Sequence, residues 1–78
     1  NTLIGSLAGD GITEGSGNVV IGQNAGSNAN ILTTGQNNIL IGLNVSAAGA
    51  TSNNNIVMGE AVTGQAANNF SLVLQTAI

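Results

Sequence analysis

Four short clusters in this chain share the same ends: Asn1-Thr2-Leu3-Ile4-Gly5, Asn18-Val19-Val20-Ile21-Gly22, Asn38-Ile39-Leu40-Ile41-Gly42 and Asn55-Ile56-Val57-Met58-Gly59. Their closing glycines lie 17, 20 and 17 residues apart, and Ser71-Leu72-Val73-Leu74-Gln75 opens a further unit 16 residues after Asn55. A period this short excludes helical-pair repeats, and Asn, Gly, Thr and β-branched residues are poor helix formers. It suits one coil of a β-solenoid: a strand, a corner, a shorter return strand and a second corner. The sequence therefore predicts an all-β fold, a parallel β-solenoid (β-roll) of four to five short coils. The repeats run over about 1–17, 18–37, 38–54 and 55–70, with a final strand in 71–78, as one repeat domain. The three extra residues of the longest unit fall between Gly26 and Thr34, where a loop can lengthen without disturbing strand register.

Each cluster carries apolar residues in succession, although strand side chains alternate between faces. Ile4, Val19 with Ile21, Ile39 with Ile41, Ile56 with Met58, and Leu72 with Leu74 share one face, which is expected to fill the coil interior. Thr2 is the weaker partner of Ile4. The opposite face carries Leu3, Val20, Leu40, Val57 and Val73. An apolar stripe of that kind left in water usually marks an interface, so these five are the expected subunit contact. The second half of each coil is more polar: Ile12-Thr13-Glu14, Leu32-Thr33-Thr34, Ala50-Thr51-Ser52 and Ala66-Ala67-Asn68. It reads as a return strand with one apolar contact inward. Glycines at the strand ends permit positive φ, and Asn18, Asn38 and Asn55 are placed to stack as hydrogen-bonded amide ladders.

Composition narrows the function classes. The 78 residues include no Lys, Arg, His, Cys or Pro, and three acids (Asp10, Glu14 and Glu60) give a net charge of −3. Without a cation there is no footprint for phosphate, so nucleic acid and anionic membranes are excluded as partners. No apolar run approaches a membrane span, which argues against membrane insertion. Without Cys or His there is no disulfide framework, zinc site or familiar nucleophile–base pair, and the chain is read as not an enzyme and without a cofactor. A small scaffold lacking such staples is marginal alone, which favours an oligomer. The first residue is Asn rather than Met, so the chain reads as a piece of a longer polypeptide.

Other features have ordinary readings. Asp10 in "GDG" and Glu14 do not match a calcium-loop spacing, and "GDGITEGSG" is neither a dinucleotide fingerprint nor a phosphate loop. Asn44-Val45-Ser46 and Asn69-Phe70-Ser71 match a glycosylation sequon that matters only in a eukaryotic secretory route. Thr13, Thr33, Thr34 and Thr51 do not keep the single phase of an ice-binding array. Phe70 reads as a cap or gap-filler for the last coil.

The repeated Asn-x-x-Ile-Gly clusters, with segments such as "IGQNAG" and "GQNNILIG", resemble the repeat region of bacteriophage tail fibres. They are also similar to the head β-roll of trimeric autotransporter adhesins, although those heads have a shorter, more uniform period and small residues on the second face. The resemblance implies an intertwined or side-by-side homotrimer and a structural segment of a tail fibre or related virion appendage that supports host recognition. Its implied partners are further copies of itself, other virion fibre proteins and a host cell-surface receptor met through a neighbouring domain. The alternative is a bacterial cell-surface adhesin head that binds host surfaces itself.

Overall fold

The computed structural model describes residues 1–28 and 31–63, together with the backbone of 71–74. Its strands are β1 (Thr2–Ile4), β2 (Val19–Ile21), β3 (Ile39–Ile41), β4 (Asn55–Met58) and β5 (Ser71–Leu74). They form one parallel sheet in sequence order. Thr2, Val19, Ile39, Ile56 and Leu72 occupy one register position, as do Ile4, Ile21, Ile41, Met58 and Leu74. The fold is all-β, with no helix among the described residues, and is compatible with a β-roll.

The connections stack as well as the strands. Gly9 N–H donates to the Ala25 carbonyl and Gly26 N–H to that of Val45, while Thr13 N–H donates to the Thr33 carbonyl and Thr33 N–H to that of Ala50. These bonds equate Gly9 with Gly26 and Thr13 with Thr33, so the three additional residues of the long repeat lie between Gly26 and Thr33, within the expected interval. The expected return strand is absent: Ile12-Thr13-Glu14, Leu32-Thr33-Thr34 and Ala50-Thr51-Ser52 are turns and irregular backbone. The connections contain one isolated parallel bridge among the described residues, Ser46 to Thr63. Small and glycine-rich segments turn too often to keep strand geometry, though they still bond from one repeat to the next. Ala66-Ala67-Asn68 and Phe70 lie outside the described residues.

Glycine is required where the strands end. Gly22 has φ +129°, and a Cβ there would lie 2.3 Å from the Gly42 carbonyl oxygen in the next repeat. Both the backbone conformation and the close stacking exclude a side chain. Two residues later the backbone turns left-handed at Leu7, Asn24, Asn44 and Ala61, with φ between 55° and 61°. Asn adopts this region at little cost, whereas Leu7 is strained in it.

The two strand faces are exchanged relative to the sequence expectation. Val20, Leu40 and Val57, expected at a subunit contact, are fully buried within the single chain. They pack in one core with Ala8, Ala25, Leu32 and Val45, with Ile12 and Val62 alongside. Leu3 shares their register but sits in the end strand and is 44% exposed. Ile4 (56% exposed) and Met58 (37%) lie on the solvent side, and Val19, Ile21, Ile39, Ile41 and Ile56 are half-buried there rather than enclosed. Asn18, Asn38 and Asn55, which open the clusters of β2, β3 and β4, explain the exchange. They are buried, so the residue two positions on turns inward with each of them and the apolar residues on either side turn out. The side chains of Leu72, Val73 and Leu74 lie outside the described set.

This arrangement fixes the outcome of two charge insertions. Leu40→Asp should unfold the chain, because it buries a carboxylate with no cation available to pair with it. Ile41→Asp, on the outer face, should leave the β-rich circular dichroism spectrum intact. Relief of the left-handed strain by Leu7→Gly should stabilise the chain by about 1 kcal/mol, read as a raised thermal midpoint.

Candidate functional site

Two features of the sheet are candidates for function: the polar column along its N-terminal margin and the apolar surface on its outer face. The column is built by the asparagine opening each cluster. Asn1 Oδ1 accepts hydrogen bonds from Asn18 N (2.9 Å) and Asn18 Nδ2 (3.2 Å). Asn18 Oδ1 accepts from Asn38 N (2.9 Å) and Nδ2 (3.0 Å), and Asn38 Oδ1 from Asn55 N (3.0 Å) and Nδ2 (3.2 Å). The second amide hydrogen turns sideways to a corner carbonyl: Asn1 to Gly15, Asn18 to Gly35 and Asn38 to Ser52, at 2.8–2.9 Å. Asn18, Asn38 and Asn55 are buried, and no buried side-chain nitrogen or oxygen among the described residues lacks a partner. The expected ladder is present, and it lies inside the protein. Because Asn18 directly precedes β2 and lies two residues from Val20, a buried Asn18 places Val20 on the same inner side. That was the signal for the inner face that counting apolar residues missed.

A shorter column runs at the opposite corner, where Asn24 Nδ2 donates to Asn44 Oδ1 at 3.1 Å. Asn44 Oδ1 is therefore engaged in the stack. Asn69 lies outside the described residues.

The outer surface carries two parallel rows, Thr2-Val19-Ile39-Ile56 and Ile4-Ile21-Ile41-Met58. None of these residues is charged. Just past the second row, Leu43 is 40% exposed and widens the apolar strip beside β3. Asp10 and Glu14 lie in the connections, both exposed, and Glu60 follows the glycine that ends β4. Asp10 is tied through its backbone N–H to Ser27 Oγ at 2.7 Å. The acids do not converge, and the described residues contain no cluster suited to a metal ion and no pocket. Thr13 and Thr33 are in register, but Ala50 takes the next position and Thr33 Oγ1 is bonded to the Ala50 carbonyl at 3.2 Å, so no threonine row forms. No helix of the described residues is long and apolar enough to cross a membrane.

No family model, curated protein or solved structure matches the chain.

The ladder can be tested by removing one rung. Asn38→Leu would strip partners from Asn18, Asn55 and the Ser52 carbonyl at once. Each buried polar group left unpaired costs about 1–3 kcal/mol, so the thermal midpoint should collapse. A leucine at exposed Gln23, which is outside the left-handed region, should have a small effect, and equal losses at both positions would remove the ladder from the stability account.

Proposed function

We propose that this chain is a structural segment of a bacteriophage tail fibre or related virion appendage, built as a β-roll and assembled as a homotrimer. The observation that carries this reading is the outer sheet face. It is an uncharged apolar strip, in register from strand to strand, on a chain that repeats one hydrogen-bonded unit, the form expected of a spacer whose length is set by the number of rungs. The absence of any cation from the sequence suits a role that needs neither phosphate binding nor polar catalysis. In this role the segment holds a host-recognising tip away from the particle, and a neighbouring domain meets the receptor. The runner-up, a bacterial adhesin head, shares the fold expectation but would itself bind host surfaces.

Localisation separates the two. A gold-labelled antibody raised against residues 1–63 should decorate the tail or appendage of virions in electron micrographs. Decoration of bacterial surfaces without particles, with binding of the chain to host matrix protein, would replace this reading with the adhesin.

The assembly should also tolerate salt. Its stability comes from apolar burial and amide hydrogen bonds, whereas bringing copies together gathers like charges whose repulsion is screened beyond a Debye length of about 8–10 Å. Melting should be unchanged or slightly raised between low and high sodium chloride. A large fall would contradict the apolar account, and a large fall on adding a chelator would revive a metal site at Asp10 and Glu14.

A further inference from the structure

The homotrimer reading leaves open which surface joins the copies, and the fold has buried the face first expected to do so. We infer that the outer sheet face, centred on Val19, Ile21, Ile39, Ile41, Ile56 and Met58, packs against the same face of further copies of this chain about a common axis. The inference rests on the oligomeric part of the reading above and adds the surface and its occupant.

Three observations choose the occupant. The first is spacing. Successive strands place their outer side chains about 4.8 Å apart, and the three-residue insertion sits in a connection, so this spacing is uniform along the face although the repeat length is not. A second copy carries apolar groups at the same interval and interlocks along the whole stack. An amphipathic helix, with a pitch of about 5.4 Å, drifts by about 0.6 Å per rung. Over the four steps of a five-stranded sheet that drift reaches roughly 2.4 Å, half a rung, by combining the two spacings. Its side chains would then meet ridge on ridge.

The second observation is charge. The chain carries −3 with no cation, so copies repel one another. The outer rows of β1 to β4 hold no acid; Asp10 and Glu14 lie in the connections, and Glu60 stands at the border of the strip, in the position Leu43 takes one repeat earlier. A basic partner would be drawn to those acids rather than to the uncharged rows, and a like-charged copy meets the least repulsion across the rows.

The third is area. Three residues of strand and four rung steps give a strip about 10 Å by 19 Å, a flat footprint of roughly 200 Å². Stable pairwise interfaces bury ~800 Å² per partner. A single pair of faces is therefore weak. Closure around an axis, where each copy meets two others, strengthens it, as do additional rungs. Self-association of this chain should accordingly depend steeply on concentration.

The lack of native cysteine makes the contact directly addressable. Ile41→Cys places a thiol on the outer face, and Gln36→Cys places one on an exposed connection position. Under mild oxidation at increasing protein concentration, Ile41→Cys should form covalent dimers while Gln36→Cys remains monomeric. Adding Ile39→Lys to Ile41→Cys should suppress the dimer at least tenfold with an unchanged circular dichroism spectrum. Monomer throughout, with the fold retained at millimolar protein, would overturn the inference. Equal cross-linking at both positions, or cross-linking at Gln36→Cys alone, would overturn it too and would leave the fibre reading intact. Conversely, a virion without this segment would remove the fibre reading while the face-to-face contact stood.

Discussion

The buried asparagine column is the constraint from which the rest of the structure follows. Each amide oxygen accepts both the backbone N–H and a side-chain N–H of the next asparagine, from Asn1 through Asn18 and Asn38 to Asn55. This geometry allows one rung height and one lateral position. It also fixes which strand face is inner, because a residue two positions along lies on the same side. The core of Val20, Leu40 and Val57 is thus set by a polar residue. The other amide hydrogen of Asn18 and Asn38 reaches a corner carbonyl, so the ladder ties each strand to the end of the connection that follows it as well as to the next strand.

Much of the fold was legible in the sequence for a simple reason: translation along a stack requires identical backbone geometry at each rung. Gly5, Gly22, Gly42 and Gly59 have φ between 127° and 138°, a region closed to side chains. Their spacing therefore marked the strands, the parallel order and the site of the insertion. The faces were not legible from hydrophobicity. In Val19-Val20-Ile21 or Ile39-Leu40-Ile41 every residue is apolar, so binary alternation assigns either face equally well. Favouring the face with two residues over the face with one ignored the buried asparagine two positions before the single residue. The connections were misread for a related reason: Leu32 is buried as a return strand would require, but one inward apolar residue does not define strand geometry.

Exposing the two-residue face has consequences for association. A strand with one inward and two outward apolar residues leaves part of two apolar side chains in water. In a solitary protein such a surface would be selected toward charge, since flat uncharged β surfaces invite association. Here the chain contains no Lys or Arg at all, and two of its three acids lie in the connections, with Glu60 at the border of the strip. Placing the insertion in a connection keeps the strip uniform. It also lets the loop be tethered across repeats, since Ser27 accepts from the Asp10 backbone and Asn28 donates to the Asn44 carbonyl. Variation is thereby confined to the side away from the apolar rows.

The degeneracy of the apolar triplets also explains why a polar ladder is needed. If a strand slipped by one residue, its inner and outer sets would change places. In an ordinary amphipathic strand that slip would bury polar side chains and be rejected. In Ile39-Leu40-Ile41 it would exchange one set of aliphatic groups for another, and hydrophobic burial would barely resist it. The asparagine supplies the missing discrimination, because a slipped Asn38 would leave Asn18 Oδ1 and the Ser52 carbonyl without the donors they now have. Unpaired buried polar groups cost about 1–3 kcal/mol each, enough at two or three positions to select a single register. A buried asparagine performs a comparable function in coiled coils, where it specifies register at some expense in stability. The aliphatic triplets thus drive burial, and the ladder determines which of their two faces is buried.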